Sequence, residues 1–305
     1  MKTYKLSNVI TLKQALEQAE KRNYAIGSFS PRYTDMILPI LRAGQKKNSP
    51  IIVQISQKEL ERYGVSPYEI GEVFYRKMQE ENITVPTVLH LDHTKDFEVI
   101  EQAIEAGFTS VMIDASEHPF DNNVVISKKV AEYAHSKGVS VEAELGMIGT
   151  TDFVETDKDE ELYTDPDEAL EFVNQTKVDA LAVSVGTAHG VYNVRKPTVD
   201  LERLKAIRAL TPVHLVLHGG SGVPSEMIQA AMEIPGGGVS KVNIATDLEL
   251  SLLGAIGREE RMTNAECKAL SEDLKAKGQA AVQKTVEDKM ENFLLSANKV
   301  DSFKY

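Results

Sequence analysis

Residues 86–106 read PTVLHLDHTKDFEVIEQAIEA, and the fold is decided here. A short run rich in β-branched and apolar residues, 86–93, passes directly into 97–106, where apolar residues recur at helical spacing. A strand that feeds an amphipathic helix is the unit of a parallel sheet with crossover helices. Working outward, eight such units appear, with strands at 24–30, 50–56, 86–93, 110–116, 140–146, 180–189, 213–219 and 241–247. Helical segments such as 124–137, 166–175 and 201–210 lie between them. Eight β/α units predict a closed (β/α)8 TIM barrel in the α/β class. A doubly wound open sheet is the rival, but it usually carries a Gly-rich dinucleotide turn after its first strand, and the GSFS of residues 27–30 is no such turn.

The 305 residues suit one barrel domain spanning 1–305, with 257–305 as a helical C-terminal extension. The extension is highly charged and reads as a solvated helix pair, or as an oligomer contact. Residues 147–164 form a long acidic loop after the fifth strand, and a loop of this length is often a lid. A net charge of -12 argues against nucleic acid or an anionic membrane as partner, since both require clustered Lys and Arg. Without a signal-peptide pattern or a long apolar run, the expected location is the cytoplasm. One cysteine, Cys267, excludes an intrachain disulfide and a Cys-based zinc knuckle, so a metal site must be built from His, Asp and Glu.

In such a barrel, function sits at the C-terminal ends of the strands. That filter selects three of the seven histidines: His93 in LHLDH, His189 in GTAHG and His218 in LHGG. Three imidazoles with an open fourth position are the ligand set of a catalytic zinc. His214 starts its strand, His118 lies in a loop and His135 on a helix, so these take structural roles; His90 lies deeper in strand three and takes a packing or supporting one. Asp92, Asp114 and Glu144 each interrupt an apolar strand near its end, where burial without a partner costs several kcal/mol. Asp92 is the candidate general acid/base. Asp114 and Glu144 are candidates for an alternative metal position or for orienting the histidines. The GGSG of residues 219–222 and the NIAT of residues 243–246 fall where barrels hold phosphate through backbone N–H groups and hydroxyls.

These segments, LHLDH, VEAELG (141–146), GTAHGVY (186–192), LHGGSGVP (217–224), KVNIAT (241–246) and Ser296-Ala297-Asn298, resemble the class II, metal-dependent ketose-bisphosphate aldolases, which include fructose- and tagatose-bisphosphate aldolases. NIAT and SAN resemble the tagatose-type branch. The resemblance implies Zn2+ or another divalent metal on His93, His189 and His218, a monovalent cation as a further cofactor, Asp92 as proton donor, and Asp114 and Glu144 as alternative metal ligands. It implies that Gly190, Gly219, Gly220, Ser221, Asn243, Ile244, Ala245 and Thr246 bind the dihydroxyacetone phosphate half, with Ser56 near the aldehyde half. The implied partner is a phosphorylated ketose, and the implied assembly a homodimer or homotetramer. A Schiff-base route needs a lysine at the mouth; Lys241 reads as starting its strand, and Lys95 lies beyond strand three with no other sign of a pocket.

The chain departs from that pattern in three places. The lid reads Gly149-Thr150-Thr151-Asp152, leaving the proton shuttle to the short Asp152. Ser30-Pro31-Arg32 stands where an Asn often touches substrate, and we hypothesise that Arg32 holds a distal anion; an unchanged KM in Arg32→Ala would refute this. The tail offers Lys299 and few arginines for the distal phosphate. Alternatives are an aldolase for an inositol-pathway or sulfonated ketose 1-phosphate, a non-catalytic structural paralogue, which should lose ligands, and a metal-dependent hydrolase or epimerase, against which the absence of His-x-His on strand one counts.

Overall fold

The structure is a computed structural model that describes residues 6–148, 162–190, 192 and 196–303. Strands β1 (Ile26–Phe29), β2 (Ile51–Ser56), β3 (Thr87–Thr94), β4 (Ser110–Ile113), β5 (Ser140–Leu145), β6 (Ala180–Val183), β7 (His214–Leu217) and β8 (Val239–Ile244) are parallel and close in sequence order, β8 pairing with β1. Around them lie α1 (Leu12–Lys21), α2 (Ile37–Lys47), α3 (Gln57–Tyr63), α4 (Pro67–Glu80), α5 (Phe97–Glu105), α6 (Phe120–Ser136), α7 (Pro166–Thr176), α8 (Leu201–Leu210), α9 (Ser225–Met232), α10 (Thr246–Ile256), α11 (Asn264–Lys268) and α12 (Glu272–Asp288). The barrel expected from the repeating units is present. No helix among the described residues is long and apolar enough to cross a membrane.

Side-chain alternation along the strands sorts the barrel interior by height. At the N-terminal end Ile26, Ile52, Val88, Met112, Ala180 and Val216 pack on Leu12, Leu16 and Ala19 of α1, which closes that end. A capping box at Thr11 starts α1, its hydroxyl accepting from Gln14 N. Two residues further along the strands the interior turns polar, with Gln54, His90, Glu142 and Lys241 all buried. The next level holds Asp92, Glu144 and Asn243. Apolar closure below and polar side chains above direct the chemistry to the C-terminal mouth.

Of the strand limits that differ from the sequence reading, two bear on the site. β6 stops at Val183, so His189 is carried on the following loop and not on the strand itself. β8 begins at Val239, so Lys241 does not start the strand; it lies inside it, fully buried. The C-terminal extension is also more than a solvated helix pair. α12 packs on α10 and α2, burying Val282 and Val286, and Met290 and Phe293 continue that face. Gly278 makes the approach possible, because a Cβ there would meet Leu252 Cδ1 at 2.5 Å.

Candidate metal centre and substrate site

Alternation alone cannot aim both Asp92 and His93 at one site, because neighbours on a strand face opposite ways. The structure resolves this with a local irregularity. The β3–β4 register shifts between Leu91 and Thr94, and His93 adopts a positive φ of 22°. Bulges of this kind re-aim side chains beside functional sites, and here His93 turns to the mouth beside Asp92.

The rings of His93, His189 and His218 converge, with centroids 4.9 Å (His93–His189), 4.5 Å (His93–His218) and 5.8 Å (His189–His218) apart. His93 Nδ1 lies 2.9 Å from Asp114 Oδ2, and His218 Nε2 lies 2.8 Å from Glu142 Oε1. An ionised carboxylate only accepts, so both facing nitrogens carry a hydrogen, and in the neutral imidazole, the form that ligates a metal, the opposite nitrogen is the lone pair. Among the described residues those opposite atoms, His93 Nε2 and His218 Nδ1, are buried without a hydrogen-bond partner, as is His189 Nε2. Ligand atoms of the three residues lie within 4.8 Å of one another. Three orphaned imidazole nitrogens directed at one point fit a divalent metal, and nitrogen donors suit zinc.

Asp114 therefore stands as an orienting acceptor for His93, while its grouping with His93 and Glu144 also fits an alternative metal position. Ser116 Oγ donates to Asp114 Oδ1 at 2.7 Å and lies 3.2 Å from Glu144 Oε1. Among the described residues Glu144 Oε2 has no hydrogen-bond partner, and burial together with Asp114 pushes the Glu144 pKa up to about 8. Burial lowers His189 to about 3, aided by His93 and His218, keeping it neutral and able to ligate. Burial opposes charge on His93 too, yet Asp92, Asp114 and Glu144 outweigh it and hold its pKa at about 10.

The carboxylates at this point thus demand a cation, and in the metal-free protein His93 supplies it. Metal must displace that proton, so apparent zinc affinity should rise about tenfold per pH unit between pH 6 and 8, from one proton released per metal bound. Isothermal titration in buffers of different ionisation enthalpy counts the proton; a pH-independent affinity would contradict this charge state.

Asp92 accepts from Asn243 Nδ2 at 3.1 and 3.3 Å and from Gln54 Nε2 at 3.2 Å. Burial disfavours its charge, but His93, His90, Lys241 and His218 prevail, and the carboxyl stays well below its usual range. His90 is fully buried, its Nδ1 2.8 Å from Ser110 Oγ, a supporting position as expected. The partners below the metal ligands were missed in the sequence. Glu142 and Lys241 form a fully buried ion pair, Lys241 Nζ lying 2.9 Å from Glu142 Oε2. Lys241 and Glu142 lower the burial cost for each other, and the Glu142 pKa is held at about 2 against burial, chiefly by Lys241 and His218. A signal was available: Glu142 precedes Glu144 by two residues and Lys241 precedes Asn243 by two, the spacing of side chains on one face of a strand.

Beyond β7, Gly219 has φ 67° and passes so near the His189 loop that a Cβ would meet Ala188 O at 2.3 Å. Gly220 N donates to Asn243 O at 3.0 Å, and Asp247 N donates to Ser221 Oγ at 3.2 Å, which packs the two phosphate-loop candidates together. Ile244 ends β8, Ala245 precedes α10 without a side-chain cap, and Thr246 opens the helix. Helix N-terminal N–H groups beside a glycine loop make an anion cradle. The Tyr192 hydroxyl, not singled out in the sequence, accepts from Ala188 N at 2.8 Å and lies 3.2 Å from Gly219 O, tying the loop of His189 and Gly190 to the glycine loop.

Other expectations fare differently. Arg32, at φ 58°, is buried; its Nε lies 3.2 Å from Glu59 Oε1 and its Nη1 pairs with Glu249. Its charge is already compensated inside the chain, so the structure gives it a bracing position and not that of an anion clamp. Glu59 gathers the neighbouring loop ends, accepting from Ser30 Oγ at 2.9 Å and from Ser56 N at 3.0 Å. Ser56 caps α3 and pairs in register with Asp92. Lys299 sits with its ammonium 5.8 Å from the Tyr24 ring centroid, at the closed end of the barrel, where no distal phosphate can reach it. Asp152 and the other lid residues 149–151 lie outside the described residues.

A family model described as fructose-bisphosphate aldolase class-II matches residues 10–299. The fructose-bisphosphate aldolase of Geobacillus stearothermophilus is 41% identical over 251 residues, covering 82% of this chain and 85% of the relative. That of Staphylococcus epidermidis is 38% identical over 287 residues, 93% of this chain and 97% of the relative. Among solved structures, the YdjI aldolase from Escherichia coli K12 matches with a TM-score of 0.80 and 29% identity, covering 96% of this chain and 99% of that one.

Proposed function

The chain belongs to the class II fructose-bisphosphate aldolase family, a metal-dependent carbon–carbon lyase family acting on ketose bisphosphates, and from that footing we propose that its own substrate is fructose 1,6-bisphosphate and its metal Zn2+. The products are then dihydroxyacetone phosphate and glyceraldehyde 3-phosphate. The observation that carries the reading is the trio of buried imidazole nitrogens on His93, His189 and His218 that have no hydrogen-bond partner among the described residues, beside a hydrogen-bonded Asp92. When bound there, the metal supplies Lewis-acid stabilisation of the negative charge that develops on the ketose carbonyl oxygen.

Asp92 takes the proton of the C4 hydroxyl as the C3–C4 bond breaks. Asn243 and Gln54 hold its carboxylate in place for that transfer. The backbone N–H groups of Gly219 and Ser221 and those of the α10 N-terminus other than Asp247, together with Gly190, receive the phosphate of the dihydroxyacetone half, while Gly220, its N–H bonded to Asn243 O, holds the loop in place, and Asp152 serves proton exchange at C3. A homodimer or homotetramer in the cytoplasm completes the reading. The names of the curated relatives favour the fructose over the tagatose sugar. Of the two segments that lean toward tagatose in the sequence, SAN bonds Asn298 N to Lys47 O at the closed end and so has no access to the sugar, whereas NIAT lies at the site through Asn243 and keeps tagatose 1,6-bisphosphate as the alternative. An intact ligand set disfavours the structural paralogue.

A coupled cleavage assay over fructose 1,6-bisphosphate, tagatose 1,6-bisphosphate, an inositol-pathway ketose phosphate and a sulfonated ketose 1-phosphate tests this, each with and without chelator. The expected result is the highest kcat/KM for the fructose sugar, lost on chelation and restored by Zn2+. A higher kcat/KM for another sugar would refute the substrate, activity surviving complete metal removal would refute the mechanism, and inactivity on all four would favour the structural paralogue.

A further inference from the structure

We propose that Lys241 is the positioning residue that couples the metal-binding side of the site to its proton-transfer side. Its Nζ is fully buried, 2.9 Å from Glu142 Oε2 and 2.7 Å from Asn243 Oδ1. One neighbour leads to the metal, since Glu142 Oε1 lies 2.8 Å from His218 Nε2. The other leads to the acid/base, since Asn243 Nδ2 donates to both Asp92 oxygens at 3.1 and 3.3 Å.

The chemistry of each link has one direction only. An ammonium has no acceptor, so Asn243 must turn its oxygen to Lys241 and its NH2 to Asp92. Glu142, held on one oxygen by Lys241, offers the other to the His218 N–H, which leaves His218 Nδ1 as the lone pair. One lysine thereby fixes an amide flip and an imidazole tautomer at once. The same geometry removes Lys241 from nucleophilic chemistry, because its Nζ is fully buried between Glu142 and Asn243, below the mouth where a carbonyl would have to be reached. The inference rests on the reading above for its kinetic readout and on the structure alone for its metal readout.

The test compares Lys241→Met, and Lys241→Met combined with Glu142→Gln, with the wild type in melting temperature, zinc affinity by competition with a chromophoric chelator, kcat and KM. The single variant should weaken zinc binding about 10–100-fold, as loss of supporting partners does, and lower kcat at saturating zinc about 100-fold with KM nearly unchanged. Should the single variant fail to fold, the pair still decides, because Glu142→Gln removes the stranded charge yet keeps an acceptor for His218. In the pair, zinc affinity should return to near wild type while kcat stays low, since Asn243 remains released. Wild-type zinc affinity and kcat in a folded Lys241→Met, or a loss of melting temperature alone, would overturn the proposal. Full recovery of kcat in the pair would overturn the coupling through Asn243. If the wild-type protein cleaved no sugar, the substrate reading would fail while the zinc measurements still decided the role of Lys241.

Discussion

Asp92→Asn is expected to lower kcat for sugar cleavage by about 10²- to 10⁴-fold, the range of a lost general acid/base, with the zinc content of the wild type retained. That corresponds to about 3–5 kcal/mol of transition-state stabilisation. Asn is nearly isosteric, and Asp92 is not among the three imidazoles that face the metal point, so the metal site should stay assembled. What is lost is a carboxylate kept ionised by its surroundings and aimed by two amides, Asn243 and Gln54. The partial reactions separate this role from a general collapse. Asp92 acts on the hydroxyl proton at C4, whereas exchange of the C–H proton of dihydroxyacetone phosphate with D2O needs a base at C3. Exchange followed by NMR should therefore survive in Asp92→Asn while cleavage does not. Parallel loss of both, or loss of zinc, would show Asp92 to be a structural support for the centre.

The barrel was legible in the sequence because each unit repeats a short β-branched, apolar run followed by a helical one, and because inward positions follow from alternation once a strand is placed. The histidine set was legible for a related reason, since polar residues at strand ends in an apolar barrel need a purpose. What alternation conceals is its own violation. Asp92 and His93 are neighbours, and only the register shift with φ 22° at His93 lets both face the mouth. Strand limits hid the rest: with β8 begun too late, Lys241 looked like an entry residue, and the Glu142–Lys241 pair beneath the centre was lost with it. Arg32 failed for a different reason. Its partners, Glu59 on α3 and Glu249 on α10, are distant in sequence, and a compensated arginine cannot be told from a free one before the helices are in place.

The same geometry separates ligands from their supports, and a ranked series of zinc affinities should expose it. His218→Ala removes a donor and is expected to weaken zinc binding about 10²- to 10³-fold, one ligand's share of the roughly 10–16 kcal/mol of a structural zinc site. Glu142, fully buried, would lose its 2.8 Å contact with His218 and keep Lys241 at 2.9 Å and His90 Nε2 at 3.6 Å. Asp114→Asn keeps an oxygen for His93 Nδ1 and should cost only about tenfold, the lower part of the range for partners that orient a ligand. The difference follows from which atoms are orphaned: among the described residues His218 Nδ1 has no hydrogen-bond partner, with Glu144 Oε2 at 3.6 Å, whereas Asp114 has both oxygens engaged, by His93 and Ser116. Competition against a chromophoric chelator at fixed pH ranks the two. Equal losses would mean that Asp114 binds the metal directly, at the alternative position formed with His93 and Glu144. An unchanged affinity in His218→Ala would remove that imidazole from the ligand set and leave its orphaned nitrogen without an account.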